Sequence, residues 1–197
     1  MSVLKVDLLG PLQVSVNGKP PKFETDAQRV LLAYLAVHQG VAQRRDSLAG
    51  LLSPDRPNKE ALTYLRNRLA RLRHGLGDKT AVLPYLNVER KQIALRTGDD
   101  IHIDIVQFEQ LLAVVETHEH RQLAGCPTCL ARLEEAVGLV RGEFLAGLNF
   151  PSDTWEAWLI PQREYIQQRT VEALTSLLEA QLMLGEWTAA LDCSADS

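Results

Sequence analysis

Residues 58–78, NKEALTYLRNRLARLRHGLGD, decide the fold of the first half of this 197-residue chain. Four leucines in this stretch follow one another at three- and four-residue intervals, a spacing that places their side chains on one stripe of an α-helix. Polar and cationic side chains occupy the rest of the helix surface. The stretch therefore predicts a helix from Asn58 to about Gly75 that buries one face and exposes the other. The buried stripe consists of Leu62, Leu65, Leu69 and Leu72.

Two shorter helices are predicted before this one. Asp26 is suited to cap a helix over residues 27–37, where apolar residues recur at helical spacing until Gly40 stops them. A second helix fits residues 44–52, and the sequence Ser-Pro-Asp-Arg-Pro at 53–57 breaks it. The order is helix, turn, helix, with the cationic helix third.

Short apolar runs on either side of these helices predict strands. Residues 3–9 and 12–16 alternate in part and are followed by an Asn-Gly turn pair, so they indicate a small antiparallel sheet. Residues 81–83, 86–88 and 93–95 have the same character after the third helix. The last two runs close around the sequence Glu-Arg-Lys-Gln, which predicts a β-hairpin wing with a basic tip.

The pattern becomes almost wholly helical after residue 100. Pro161 is expected to kink or divide the longest helix, because proline lacks the N–H of a helical hydrogen bond. The fold class is therefore an α+β winged helix-turn-helix over residues 1–98, followed by an all-α helical domain over residues 99–197. The predicted helices cover residues 103–117, 127–140 and 153–184, with a short turn at 143–147 and the start of another helix after 185.

Charge is distributed unequally between the two halves. Residues 1–99 hold 16 Lys and Arg against 9 Asp and Glu, a net +7, whereas residues 100–197 hold 5 against 16, a net −11. This asymmetry indicates a polyanionic partner for the first half. A surface charge without functional meaning is the alternative interpretation.

Composition excludes several other classes of protein. No stretch approaches the roughly 20 apolar residues of a membrane helix, and the first residues lack the apolar run of a signal peptide. Three cysteines do not suit a secreted disulfide framework, so we expect a cytoplasmic protein with thiols or metal ligands. Phosphate-loop, nucleophile-elbow and metalloprotease motifs are lacking, and we expect no enzymatic activity.

The first half resembles the winged-helix DNA-binding domain of OmpR-type regulators, and more closely that of SARP-type activators. The similarity lies in LLGPL (8–12), LLAYLA (31–36) and LARLRHGLGD (69–78). The second half resembles the bacterial transcriptional activator domain of the same family, which is similar to tetratricopeptide repeats. That similarity lies in DIVQF (104–108), LEEAVGLVRGEFLAG (133–147), WEAWL (155–159) and the repeat-like turn LMLGEWTAAL (182–191). Family members continue beyond such a repeat, so the helical domain is expected to be truncated here.

The resemblance implies where DNA would bind. In such a fold the third helix lies in the major groove, where base edges distinguish all four base pairs. Thr63, Asn67 and Arg71 are placed to contact bases there, since asparagine can pair with adenine and arginine with guanine. The remaining cations are expected to contact phosphates or, at the wing tip, the minor groove. They are Arg44, Arg45, Lys59, Arg66, Arg73, Arg90 and Lys91.

A second constellation joins two imidazoles to two thiols within twelve positions of the acidic half. His118 and His120 are followed by Cys126 and Cys129 in a Cys-x-x-Cys arrangement. Nitrogen and sulfur ligands suit a tetrahedral structural zinc ion. Two unrelated cysteines at a helix end, or a redox or metal-sensing pair, are the alternatives.

Together these features predict a sequence-specific regulator of transcription, an activator, that binds double-stranded DNA. Its acidic helical half is expected to form a homodimer or to contact RNA polymerase or another protein. One alternative is an adaptor whose winged helix docks protein instead of DNA. Another is a redox enzyme that uses Cys126 and Cys129.

Overall fold

A computed structural model describes residues 3–78, 81, 83–119 and 122–195, with side chains up to Gly185. The chain begins with strands β1 (Leu4–Asp7) and β2 (Gln13–Val16), which pair antiparallel with Leu4 opposite Val16. The turn that follows β2 uses left-handed backbone at Asn17 and Gly18, with φ angles of 53° and 75°. Asparagine and glycine adopt this conformation most readily, which explains the Asn-Gly pair.

Three helices follow, with the predicted order and nearly the predicted bounds. They are α1 (Asp26–Val37), α2 (Arg45–Leu52) and α3 (Asn58–Gly75). The prediction that Asp26 caps α1 is wrong, because Asp26 is the first helical residue and Thr25 is the N-cap. Thr25 and Gln28 form a capping box that satisfies N–H groups with no partner inside the helix. The leucine stripe of α3 enters the core, although Leu62 at its edge is only half-buried and Ala61 is buried beside it.

The wing forms from β3 (Gln43–Arg44), β4 (Leu86–Val88) and β5 (Gln92–Leu95), arranged antiparallel in the order β3-β5-β4. The strand predicted at residues 81–83 is wrong for its described members, since Ala81 and Leu83 lie outside any strand and Leu83 is exposed. Val82 lies outside the described residues. The buried Asp78 carboxylate accepts the N–H groups of Tyr85 and Leu86, so the turn is folded around a side chain instead of a strand partner.

The second half is helical, as expected. It consists of α4 (Asp104–Thr117), a 3-10 turn (Leu123–Gly125), α5 (Pro127–Leu139) and α6 (Asp153–Ala195). Pro161 lies inside α6 and does not divide it. None of the helices in the described residues is both long enough and apolar enough to cross a membrane.

The break expected near Gly185 is also wrong, because the backbone of α6 continues without interruption to Ala195. Glycine inside a helix costs only about 1 kcal/mol relative to alanine. The leucines, methionine, glutamate and alanines around it favour a helix, so one glycine is not enough to end it.

The two halves share one core. Strand β6 (Ile101–Ile103) pairs parallel with β1, on the side opposite β2, and α4 begins directly after it. The Asp104 carboxylate accepts hydrogen bonds from the N–H groups of Leu8 and Leu9 at 2.7–2.8 Å. The carbonyls of the same two residues accept the N–H groups of Leu145 and Arg141. A boundary at residue 98 stays a prediction, because β6 belongs to the first sheet through its hydrogen bonds and to the helical half through α4.

Candidate nucleic-acid interface and histidine–cysteine cluster

The solvent face of α3 presents the polar residues that the sequence singled out. Lys59, Thr63, Arg66 and Asn67 are all exposed. The Thr63 hydroxyl donates to the Lys59 carbonyl at 2.9 Å. The side chains of Lys59, Arg66 and Asn67 make no hydrogen bond or ion pair with another described residue. This face therefore offers two cations and an amide to an external ligand.

Arg71 and Arg73 lie on the same helix but already have internal partners. Arg71 forms an exposed ion pair with Glu24 in the segment before α1. The Nε of Arg73 donates at 2.8 Å to Asp78, whose side chain is fully buried. This pair holds the turn after α3, so the geometry favours a structural role for Arg73 over the predicted phosphate contact.

The sheet of the wing brings together cations that are far apart in sequence. Arg44 lies opposite Gln92 in the β3–β5 pair, and the backbone N–H of Arg45 donates to the Lys91 carbonyl at 3.0 Å. The Nε of Arg45 donates to the Glu89 carbonyl at 3.0 Å, whereas Arg44 faces Asp46 at 3.6 Å. Arg90 and Lys91 are exposed at the hairpin tip. The start of α2 and the wing tip thus form one basic edge.

Sequence reasoning missed a cation–aromatic stack beside α3. The guanidinium carbons of Arg56 and Arg68 lie 4.9 Å and 4.6 Å from the ring centre of Tyr64. Such contacts orient a guanidinium while its outer N–H groups stay available. The sequence places Arg56 only in the turn before α3, and the four-residue spacing of Tyr64 and Arg68 is the signal that indicates the stack. Arg56 and Tyr64 line a shallow surface groove with Lys59, Glu60, Thr63 and Asn67.

The second site lies where α4 ends and α5 begins. The Nδ1 atom of His118 is 3.0 Å from the Cys129 sulfur and 3.5 Å from the Cys126 sulfur. Ligand atoms of all three residues fall within 4.8 Å of one another. Cys129 is buried, Cys126 is half-buried and His118 is exposed. His120, the fourth predicted ligand, lies outside the described residues.

The two thiols are in different environments. The backbone N–H and the thiol of Cys129 hydrogen-bond to Cys126 and lower the pKa of its thiol. Burial raises the pKa of the Cys129 thiol. A cluster of one imidazole and two thiols has the donor set that zinc prefers.

Comparison with known proteins identifies the second half and the whole fold. Residues 103–196 match the family described as "Bacterial transcriptional activator domain". The chain is also similar to a solved structure, Mycobacterium tuberculosis EmbR in complex with a low affinity phosphopeptide, at 23% sequence identity and a TM-score of 0.70. That match covers 98% of this chain and 49% of the other, so the similarity shows the fold over about half of a longer protein. No curated protein sequence matches the chain significantly.

Proposed function

We propose that this chain is a SARP-type transcriptional regulator and that it activates transcription by binding a specific sequence of double-stranded DNA through α3 and the wing. The observation that carries this proposal is the exposed face of α3, where Lys59, Arg66 and Asn67 have no partner among the described residues. Three neighbouring polar groups left to solvent on one amphipathic helix suit an external polyanion.

Base recognition is assigned to the centre of this face. Thr63 and Asn67 lie one helical turn apart, and Asn67 can bond both the N6 and N7 atoms of adenine. Arg71 continues the same row and can reach guanine once it leaves Glu24. Arg66 and Lys59 flank the row and fit phosphate contacts, which fix the position of the helix in the groove.

Phosphate and minor-groove contacts are assigned to the basic edge. Arg44 and Arg45 at the start of α2 are adjacent to the wing tip through the β3–β5 pair. Arg90 and Lys91 can therefore enter or flank the minor groove while Arg44 and Arg45 bind the backbone. Arg56, held over the Tyr64 ring, is a further phosphate ligand that we add to this set.

The acidic helical half supplies the protein contact in this proposal. Its net charge of −11 over residues 100–197 repels DNA, so it fits a protein partner better than a second nucleic-acid site. RNA polymerase, or a second copy of the chain, is the partner that an activator requires. The acidic half is therefore assigned to recruitment or dimerisation.

The experiment is selection of bound duplexes from a random DNA pool, with Arg66→Glu and Lys19→Glu compared. Both variants change the net charge equally, but Lys19 is an exposed residue of the turn after β2 and is not part of α3. We expect a defined motif that Lys19→Glu retains and Arg66→Glu loses, with affinity that falls steeply with salt. Asn67→Ala should relax the preference at one base position only.

Two results would contradict the proposal. A folded protein that enriches no motif would favour the adaptor, in which the winged helix docks protein. Equal losses in Arg66→Glu and Lys19→Glu would show that long-range charge, and not contact through α3, produces the binding.

A further inference from the structure

We infer that His118, Cys126 and Cys129 bind one Zn²⁺ ion that ties the end of α4 to the start of α5. The proposed DNA-binding function does not require this site, and the site is separate in sequence from α3 and the wing. The ion would be structural, because the three residues join the end of one helix to the start of the next.

The distances are close to those of a metal-bound cluster. With zinc–sulfur bonds of about 2.3 Å and zinc–nitrogen bonds of about 2.0 Å, tetrahedral geometry separates the ligand atoms by roughly 3.5–3.8 Å. The His118 nitrogen lies 3.0 Å and 3.5 Å from the two sulfurs, and no pair of ligand atoms is more than 4.8 Å apart. Shifts of an ångström or less would accommodate the ion. One position remains for water or another donor.

The local structure fixes each ligand in place. His118 directly follows the last residue of α4 as its C-cap, and Cys126 is the residue that precedes Pro127 at the start of α5. Cys129 lies in the first turn of α5 with 1% of its surface exposed, so its sulfur is held by packing. Because proline is well suited to the first helical position, Pro127 fixes the start of α5 and so places Cys126 just before the helix and Cys129 in its first turn.

A metal explains the position of His118 better than a disulfide does. Both cysteines are free thiols in the structure, and the same imidazole nitrogen approaches both sulfurs. A Cys-x-x-Cys redox pair needs no third donor in contact with both of its sulfurs. A zinc ion needs one, and it would also neutralise a thiolate at the buried Cys129 position.

The ion would stabilise the packing of the helical half. Helices α4 and α5 pack against each other, and the 3-10 turn between them contacts α6. A metal at the junction closes this loop and limits how far α5 can separate from α4. Removing the metal should therefore lower the melting temperature of the full chain, since a ligand that binds only the folded state stabilises it.

The test is metal binding by the full reduced chain, with Co²⁺ as a spectroscopic probe and Zn²⁺ as its competitor. We expect one Co²⁺ per chain with the absorption of tetrahedral thiolate coordination, displacement by one Zn²⁺, and a higher melting temperature in the loaded protein. Cys126→Ser and His118→Ala should each weaken binding and remove that spectrum. Cys193→Ser is the matched control, because it removes the third cysteine of the sequence and should change neither.

The choice of variants separates loss of metal binding from misfolding of the protein. Cys129→Ser alters a buried position, so Cys126→Ser and His118→Ala, at more exposed positions, carry the argument if Cys129→Ser does not fold. A folded wild-type chain that gives no tetrahedral Co²⁺ spectrum would overturn the site. A Cys126–Cys129 disulfide that forms as fast with Zn²⁺ as without it would replace the site with a redox pair. Neither outcome depends on DNA, so failure here leaves the DNA proposal intact.

Discussion

Replacing Asp104 by alanine should destabilise the protein by about 2–6 kcal/mol. The Asp104 carboxylate is buried and accepts the N–H groups of Leu8 and Leu9 across the junction between the halves. Alanine would leave both N–H groups buried without a partner, at about 1–3 kcal/mol each. It would also remove the acid that Arg141 faces at 3.6 Å. Such a loss is comparable with the total stability of many domains, about 5–15 kcal/mol.

Urea unfolding of the full chain, followed by far-ultraviolet circular dichroism, measures this effect. Asp99→Ala is the control, because it removes the same charge from an exposed residue that lies five positions earlier in the sequence. We expect a large drop in the unfolding midpoint for Asp104→Ala and almost none for Asp99→Ala. If Asp104→Ala lowers the free energy of unfolding by less than about 1 kcal/mol, these hydrogen bonds do not hold the halves together.

Three further predictions follow from single contacts. Gly10→Ala should lower the stability of the protein by about 1–3 kcal/mol in thermal unfolding, since the Gly10 φ of 144° favours glycine. The new Cβ would also lie 3.1 Å from a side chain in the segment after α5. An unchanged melting temperature would contradict this close approach. Glu24→Gln should tighten DNA binding about 1.4- to 5-fold in a fluorescence anisotropy titration, because it frees Arg71 from an exposed pair worth about 0.2–1 kcal/mol; weaker binding would show that Glu24 itself supports the complex. The Arg96 guanidinium lowers the pKa of the Asp100 carboxyl through hydrogen bonds of 2.5 Å and 2.7 Å. This pair therefore stabilises the fold fully above the pKa of about 3.9 that aspartate has in the unfolded chain. The stabilisation is lost as the pH falls through the lower pKa of Asp100 in the folded protein. Urea unfolding between pH 5 and pH 2 (about the range of that transition) should therefore show a smaller acid-induced loss for Asp100→Asn than for the wild type.

Local patterns predicted the helices well. The bounds of α1 and α3 agree with the sequence prediction to within one residue because each has a stripe of buried residues several turns long. The strand predicted at residues 81–83 failed because apolar character alone does not distinguish a strand from a turn. Nothing in the neighbouring residues indicates that Asp78 would accept the N–H groups of Tyr85 and Leu86.

The sequence predicted which residues belong to the candidate sites but not which of them form ion pairs with other residues. Helical spacing placed Arg66 and Asn67 on the exposed face of α3, and the structure agrees. The same spacing treated Arg71 and Arg73 as free cations, whereas Glu24 and Asp78 pair with them. Such pairing depends on how the segments outside α3 fold back onto the helix, and a helical wheel of α3 gives no information on that.

The junction between the two halves is packed on both α1 and α2. Trp158 of α6 packs on Tyr34 of α1 with ring centres 5.1 Å apart, and the Ser152 hydroxyl donates to the Leu51 carbonyl in α2 at 2.7 Å. These contacts fix the helical half against α1 and α2. Arg45 is the first residue of α2, and Arg44 directly precedes it. Because buried contacts join the two halves, DNA bound to the basic half would hold the acidic half in a defined orientation. Under the proposed function, a partner recruited by the acidic half would thus be placed at a fixed position relative to the bound DNA, which a flexible linker would not achieve.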